Sequence, residues 1–297
     1  LDDARGLLFV PTGSAAPDFY GGDRIGDNLY ANSELVLNAA TGERVWHYQA
    51  VHHDIWDRDF PSPPTLVTVT RNGKPVDSVA QTTKQGFVFL FDRQSGQPLF
   101  PVEERPFPAS TVEGEVAAGT QPIPLKPVPF ARQQLTADML TTRTPEAHAW
   151  AEAEFKKFKG GGLFVPMGVG TDTIIFPGFD GGAEWGGSAF DPKSGLLYVN
   201  ANDVAWTGGL ASNDPVLGGR GTYLRSCANC HRDDLKGTPP SIPALDDIAD
   251  RESDQAIEQV IRRGAGRMPG FAFPPDVMAE LLRYLKNGPA APAAAQA

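Results

Sequence analysis

The two cysteines of this 297-residue chain lie three positions apart, and a histidine follows the second one directly. Cys227, Cys230 and His231 form a Cys-x-x-Cys-His motif, which is the attachment signature of a c-type haem. The two thiols would form thioethers with the haem vinyl groups, and the imidazole would reach the iron from the same turn. A thioredoxin-like redox pair would open a helix inside a βαβ unit, and this stretch lacks that context. A zinc site would need more ligands than one cysteine pair and five histidines supply.

A methionine further along the chain is suited to the opposite face of the iron. Met268 lies in the glycine-rich loop 264–270, and a methionine opposite the histidine raises the potential of a haem electron carrier. Filling a gap in the core is the alternative role for Met268. Met278 is a rival, but it belongs to an apolar helical stripe that indicates packing. The sequence therefore predicts a haem iron held by His231 and Met268.

Helical patterns surround this loop. Ser253 can cap one helix, and Pro275 can open another. Each segment has apolar residues at helical spacing, which predicts one buried face. With the haem turn and the methionine loop between them, residues 218–288 resemble a monohaem class I cytochrome c domain.

Composition limits the other possibilities. The formal net charge is −10, and an acidic chain is a poor ligand for nucleic acid because phosphate contacts need clustered cations. Hydrophobic residues make up 41% of the chain, which is enough for a core. The 32 glycines and 27 prolines predict many turns and argue against a helix bundle. No apolar run approaches the ~18 residues of a transmembrane helix, so membrane contact is not visible in this segment.

The first two hundred residues carry short β-patterned runs. One polar turn recurs at 38–42, 92–96 and 191–195, with Asn or Asp first and Gly last. A repeated sheet unit with this turn predicts a mainly β fold of the β-propeller type. The predicted strands include 6–10, 35–38, 44–49, 86–91, 163–166, 173–176 and 196–200, with a polar helix near 144–159. The predicted organisation is a partial propeller over 1–210, a linker over 211–217, the cytochrome domain over 218–288 and a disordered tail over 289–297.

Several motifs in the β region carry a resemblance to a known family. They are the Pro-Thr-Gly-Ser loop at 11–14, the His-His-Asp-Ile-Trp-Asp run at 52–57, Thr-Lys-Gln-Gly at 83–86, Glu-Trp-Gly-Gly at 184–187 and Leu-Tyr-Val-Asn-Ala-Asn at 197–202. Together they resemble the PQQ-dependent quinoprotein dehydrogenases, in particular the membrane-bound glucose and quinate dehydrogenase branch. The Asn38 to Trp46 stretch is similar to that family's tryptophan-docking motif, in which a Trp locks neighbouring blades.

The resemblance assigns roles to five residues. Asp57 is similar to the family's catalytic base and is a tentative calcium ligand. Lys84 is similar to the cation that contacts the C5 carbonyl of the quinone, and Asn200 to a further polar contact near PQQ. Ser14 occupies the loop where many relatives present an asparagine to Ca²⁺, so it is a tentative calcium ligand. Trp185 is expected to line the PQQ pocket, with core packing as the alternative.

The resemblance also implies an activity. An alcohol, polyol or sugar would lose a hydride to PQQ while a carboxylate beside Ca²⁺ takes the hydroxyl proton. Electrons would then pass singly to haem c on the same chain, and onward to an acceptor such as a cytochrome, a quinone or an oxidase. A c-type haem implies assembly outside the cytoplasm, in a periplasm-like compartment.

One expectation concerns the extent of the chain, and two alternative functions stay open. Family members close a ring of about eight blades, and this chain has residues for three or four, so we expect the C-terminal part of a longer enzyme with an open sheet edge. One alternative is an electron-transfer cytochrome with a non-catalytic β domain, which predicts haem spectra without quinone binding. Another is a non-catalytic propeller that serves as a protein-binding scaffold, for which neither cofactor is needed.

Overall fold

The computed structural model describes residues 1–211 and 218–287. The linker predicted over 211–217 lies outside the described residues except for its first position, and the tail predicted over 289–297 lies wholly outside them. The chain divides into two compact units, Leu1–Leu210 and Ala211–Ala297. In the described ranges, no helix combines the length and the apolar character needed to cross a bilayer.

The N-terminal unit consists mainly of short strands in small sheets. Its described strands are β1 (Leu7–Pro11), β2 (Ser33–Asn38), β3 (Arg44–Gln49), β4 (Thr65–Arg71), β5 (Lys74–Thr82), β6 (Val88–Asp92), β7 (Val102–Pro106), β8 (Thr120–Pro124), β9 (Lys159–Gly160), β10 (Thr173–Ile175), β11 (Ser188–Asp191), β12 (Leu196–Val199) and β13 (Trp206–Gly208). The sheets are β1-β2-β3, β4-β5-β6, β7-β8, β11-β12 and β9-β10-β13, and only the β9–β10 pair among these described strands is parallel. The hairpin β11-β12 lies beside β4, where the Thr65 hydroxyl donates to the Ser188 carbonyl at 3.1 Å.

The core of this unit lies between the first two sheets. Val36 on β2 pairs with Trp46 on β3, and both are buried together with Phe89 and Phe91 of β6. Glu34 is also fully buried, and neither of its carboxylate oxygens has a hydrogen-bond partner among the described residues. Burial raises the pKa of Glu34 to about 8, so this carboxyl is mostly protonated at neutral pH.

The recurrent polar turn is confirmed at all three predicted places. The amides of Gly42, Gly96 and Gly195 donate to the carbonyls of Asn38, Asp92 and Asp191 at 2.8, 2.9 and 2.9 Å. The first residue of each turn also accepts backbone N–H bonds on its side chain. Each glycine has a φ near +75°, which an L side chain rarely adopts.

Trp46 connects the first sheet to the second. Its indole Nε1 donates to the Arg93 carbonyl at 3.2 Å, and its ring packs edge-on against Phe9. A methyl group at Gly96 would lie 2.5 Å from the Trp46 ring, so only glycine lets this turn approach the indole. The contact between neighbouring sheets agrees with the tryptophan docking that the sequence predicts.

The segment between β8 and β10 differs in part from the prediction. The strand predicted at 163–166 is wrong, because these residues form a loop. Phe164 is buried there against Trp56, at 5.1 Å between ring centroids, so the apolar run fills the core without joining a ladder. The polar helix is confirmed as α1 (Pro145–Phe155), with the Thr144 hydroxyl accepting from the Ala147 amide at 3.1 Å.

The C-terminal unit consists of short helices joined by loops in its described residues. Its helices are α2 (Gly218–Ser226), α3 (Ala228–His231), α4 (Ile248–Arg251), α5 (Asp254–Arg263) and α6 (Pro275–Asn287). Ser253 caps α5 as predicted, since its hydroxyl accepts from the Ala256 amide at 3.3 Å. Helix α2 crosses α6 at Gly219, where a methyl group would lie 1.9 Å from the Glu280 carbonyl oxygen. Tyr223 and Tyr284 pack together at this crossing.

Candidate active site and haem-binding segment

The loop after β3 is shaped by one buried carboxylate. Oδ1 of Asp54 accepts from the Trp56 amide at 2.9 Å, and Oδ2 accepts from the Arg58 amide at 2.7 Å. Oδ2 also accepts from Asn32 Nδ2 at 2.8 Å and from Ser14 Oγ at 2.6 Å. These bonds hold the loop in a tight turn in which Asp57 has a φ of 57°.

The turn directs Asp57 at Lys84. Lys84 Nζ donates to Asp57 Oδ2 at 3.0 Å and forms an ion pair with Asp59 Oδ1 at 2.7 Å. Glu184 Oε1 lies further away, at 3.8 Å. Lys84 belongs to the Thr83–Gly86 turn, which the Gly86 amide closes on the Thr83 carbonyl at 3.0 Å. Two residues that the sequence predicts for one site are therefore in direct contact, with a second carboxylate beside them.

The environment of this cluster changes the protonation of its members. Burial raises the pKa of Asp57 to about 6, although Lys84 opposes the shift. Burial alone would lower the pKa of Lys84, but Asp59 and Asp57 outweigh it and raise that pKa. Burial also raises the pKa of Glu184. Lys84 therefore stays charged at neutral pH, and Asp57 has a pKa near the working range of a general base.

A small cavity lies beside the cluster. It has a volume of about 310 Å³ and is lined by Gly182, Glu184, Gly186, Asn200, Ala201 and Asn202. Asn200 is therefore in the cavity wall, close in the chain to β12. Trp185 is 82% exposed within the described structure, so it does not pack in a core of this unit. In the chain it stands between Glu184 and Gly186, which both line the cavity. Its contact with PQQ stays a prediction.

Lys84, Asp57 and Asp59 offer groups that fit PQQ, but they do not form a complete calcium site. An ammonium group such as that of Lys84 has three N–H donors, and Asp57 accepts from one of them, whereas Asp59 Oδ1 lies at ion-pair distance without a hydrogen bond. The donors that Asp57 does not use are available for an acceptor such as a quinone oxygen. Asp57 and Asp59 are the hard oxygen donors that Ca²⁺ prefers. In the ranges that the structure describes, however, no group of three or more His, Cys, Asp or Glu side chains could hold a metal ion.

Several members of this site were not predicted. No role was predicted for Asp54, which orders the turn, or for Asp59, which lies beside the Lys84 ammonium together with Asp57. Both lie in the same short acidic run as Asp57, which is the signal that could have found them. Glu184 lies in a motif that was noticed, but its contact with Lys84 depends on the fold. Ser14 bonds to Asp54, and its calcium role stays a prediction.

The haem-binding motif lies at the start of the C-terminal unit. Cys227 caps α3, which contains Cys230 and His231. Nδ1 of His231 lies 3.0 Å from the Pro243 carbonyl oxygen. Because a carbonyl only accepts, Nδ1 carries the proton and Nε2 keeps its lone pair for a metal. The imidazole is buried, so its orientation is fixed.

The two methionines near this motif have different surroundings. Met268 is partly buried and packs against the same apolar cluster as Cys227. Met278 is 2% exposed and lies in the core of that cluster on α6, as the sequence predicts. The residues present fit a haem group: two thiols, an imidazole with one free nitrogen, and a thioether. Cys227 and Met268 contact the same apolar cluster, and Cys230 is exposed.

Comparison with known proteins identifies both units. Residues 1–227 match the family described as "PQQ: Glucose/ethanol/alcohol dehydrogenase, beta-propeller domain". The chain belongs to this family. Residues 214–285 match the family described as "Cytochrome C oxidase, cbb3-type, subunit III". The PQQ propeller part is thus followed by a cytochrome c domain, as the sequence predicts.

Curated relatives of this PQQ-family chain are named as dehydrogenases, and several of them as quinoproteins. It is 36% identical to the glycerol dehydrogenase large subunit of Gluconobacter oxydans, over 68% of this chain and 28% of that protein. It is 35% identical to the quinoprotein glucose dehydrogenase A of Acinetobacter calcoaceticus, over 70% of this chain and 27% of that protein. It is 34% identical to the quinate/shikimate dehydrogenase (quinone) of Acinetobacter baylyi, over 67% of this chain and 25% of that protein. The matched region therefore spans about a quarter of the length of these relatives.

Proposed function

We propose that this protein belongs to a quinohaemoprotein dehydrogenase that oxidises an alcohol, polyol or sugar and passes the electrons to its own haem. The observation that carries the proposal is the contact between Lys84 Nζ and the carboxylates of Asp57 and Asp59. It occurs on a chain that also has the Cys-x-x-Cys-His motif. We assign the PQQ part to residues 1–210 and the haem part to 218–288.

The cofactors would supply two-electron oxidation of the alcohol by PQQ, charge stabilisation by Ca²⁺ and one-electron transfer by haem c. Asp57 would accept the hydroxyl proton of the substrate on its carboxylate. Lys84 would hold the C5 carbonyl of the quinone through an N–H donor that Asp57 does not use, and Asn200 would add a polar contact from the cavity wall. Asp57 and Ser14 would contribute to the calcium site, and a further carboxylate would come from propeller blades that are not part of this sequence.

Cys227 and Cys230 would attach the haem, and His231 and Met268 would hold its iron. Ligation by a methionine would raise the potential of the haem, which would favour its reduction. The onward acceptor would be a cytochrome, a quinone or an oxidase. Attachment of a c-type haem would require assembly in the periplasm or a similar compartment.

The names of the relatives suggest the substrates to test. D-glucose, glycerol and quinate represent a sugar, an open-chain polyol and a cyclic acid. The assay is PQQ-dependent reduction of an artificial dye by the complete enzyme, that is, this chain together with the rest of a full propeller. Asp57→Asn should lower turnover by roughly 10²-fold or more, because a general base contributes ~10²–10⁴-fold.

Two controls separate a base from a metal ligand. Asp203→Asn removes a carboxylate of the same unit that is paired with Arg132 at the surface, and it should leave turnover unchanged. If Asp57 only held calcium, excess Ca²⁺ would restore the rate of Asp57→Asn. A rescue to near wild-type turnover would contradict the assignment of Asp57 as the general base. Haem spectra without any PQQ-dependent oxidation would favour the electron-transfer cytochrome instead.

A further inference from the structure

Arg58, which follows Asp57 directly, carries a buried charge that the proposed reaction does not use. Its side chain is fully buried and forms no ion pair among the described residues. Burial lowers its pKa to about 10, so the guanidinium is still charged at neutral pH. Burying a charge without an ion-pair partner is costly, so its hydrogen-bond partners are informative.

Those partners are two backbone carbonyls far away in the sequence. The guanidinium donates to the Gly178 carbonyl at 3.0 Å through Nη1 and to the Pro177 carbonyl through Nη2. The Gly178 carbonyl also accepts from the Gly181 amide at 2.8 Å, which closes a turn over 178–181. Arg58 therefore anchors the start of this turn to the loop that carries Asp57.

The other end of the turn packs on Lys84. The Gly182 amide donates to the Lys84 carbonyl at 2.6 Å, and the Ala183 amide donates to the Thr83 carbonyl at 3.2 Å. A methyl group at Gly181 would lie 2.4 Å from Lys84 Cγ, so the turn touches the side chain as well as the backbone. The segment 177–183 is thus fixed to Arg58 at one end and to Lys84 at the other.

These contacts form a closed ring. Lys84 Nζ donates to Asp57 and forms an ion pair with Asp59. These two aspartates flank Arg58 in the chain, and Arg58 is connected back to Lys84 through segment 177–183. We propose that Arg58 is a positioning residue that clamps segment 177–183 against Lys84 and so fixes the ammonium between the two carboxylates. The effect of Arg58 on catalysis rests on the proposed function. The contacts of Arg58 and Lys84 with segment 177–183, which we call the clamp, do not depend on it.

The clamp can be tested on the chain without any cofactor. The measurement is the rate at which acetic anhydride labels Lys84 at fixed pH, followed by peptide mass spectrometry. Arg58→Met keeps much of the side-chain volume and removes the donors. It should raise the labelling rate of Lys84 about tenfold, which corresponds to ~1.4 kcal/mol of lost local order. Arg58→Lys, which can still reach one carbonyl, should give a smaller rise.

Arg93 provides the matched control. It is a second buried arginine that donates to backbone carbonyls, those of Ser78 at 3.3 Å and Val67 at 2.9 Å. Unlike Arg58, it also forms an ion pair with Asp2 at 3.0 Å. Arg93→Met should disturb the unit without raising the labelling of Lys84. Equal labelling in Arg58→Met and wild type, or an equal rise in Arg93→Met, would overturn the clamp.

A glycine pair keeps the test decisive if Arg58→Met does not fold. Gly181 and Gly195 have φ values of 69° and 73°, so alanine meets the same backbone strain at both. Only at Gly181 does the added methyl overlap Lys84, because Gly195 faces open space. Gly181→Ala should raise Lys84 labelling and Gly195→Ala should not. The same labelling rate in both variants would refute the contact on which the clamp depends.

Activity then distinguishes the clamp from the proposed function. In the complete PQQ-loaded enzyme, Arg58→Met should lower kcat with little change in KM, because a misplaced Lys84 weakens charge stabilisation during reaction. A wild type without PQQ-dependent oxidation would refute the proposed function and leave the labelling result standing. A fully active Arg58→Met enzyme would overturn Arg58 as a positioning residue for catalysis.

Discussion

The contact between Trp46 and the neighbouring turn makes a quantitative prediction about stability. Alanine at Gly96 would have to adopt a φ of 72°, and alanine at Gly42 a φ of 75°. This left-handed conformation costs an L residue ~1–2 kcal/mol at either position. The two positions differ in one respect, since the added methyl at Gly96 meets the Trp46 ring at 2.5 Å and the one at Gly42 meets open space.

The indole cannot move away without further cost. Trp46 is buried and lies between Phe9 and Phe91, at ring-centroid distances of 6.1 and 5.8 Å. Forcing a methyl into such a packed site costs ~1–3 kcal/mol. Gly42→Ala should therefore lower the free energy of unfolding by ~1–2 kcal/mol, and Gly96→Ala by ~2–5 kcal/mol.

Urea unfolding followed by tryptophan fluorescence measures this difference selectively. All five tryptophans lie between residues 46 and 206, so the signal reports on the propeller part alone. The m-values of the two variants should agree with that of the wild type, because the surface exposed on unfolding is the same. Equal losses of stability in the two variants would show that Trp46 does not require glycine at the turn, and the docking contact would be refuted.

The remaining predictions concern the iron, a buried acid and the path of the electrons. Met268→Ala should lower the haem reduction potential and let imidazole bind the iron, whereas Met278→Leu should change neither in potentiometry and ligand titration. Folding raises the pKa of Glu34 from 4.5 to about 8, so the unfolded state loses this proton first as the pH rises. The free energy of unfolding should therefore fall between about pH 4.5 and 8. Glu34→Gln should remove that fall in urea unfolding series, and an unchanged slope would contradict it. In the complete enzyme, Cys227→Ala with Cys230→Ala should spare PQQ-dependent dye reduction, and its loss in a folded, PQQ-loaded variant would contradict a purely downstream haem.

The sequence was most informative where chemistry depends on neighbours in the chain. The Cys-x-x-Cys-His motif and the three polar turns are local patterns, and the structure forms α3 and the three glycine-ended turns from them. The helix caps at Thr144 and Ser253 are local as well. The segment 163–166 shows the limit of this approach, because an apolar run can fill a core as a loop as well as a strand.

The candidate site was less predictable because its contacts join distant parts of the chain. Resemblance suggested Asp57 and Lys84, but the bond between them depends on how two turns meet. Arg58 would be expected at the surface, since arginine is rarely buried without a partner, yet it is fully buried. Its carbonyl partners lie about 120 residues away, and no local pattern indicates them.

The central claim is that one protein oxidises its substrate at PQQ and receives the electrons on its own haem. The most direct measurement is anaerobic stopped-flow spectroscopy of the complete enzyme, which follows the absorbance of reduced haem c after mixing with substrate. We predict that the haem is reduced only when PQQ and an oxidisable alcohol, polyol or sugar are both present, and that Asp57→Asn slows this reduction by roughly 10²-fold or more. Rapid dye reduction while the haem stays oxidised, or haem reduction that does not need PQQ, would contradict the claim.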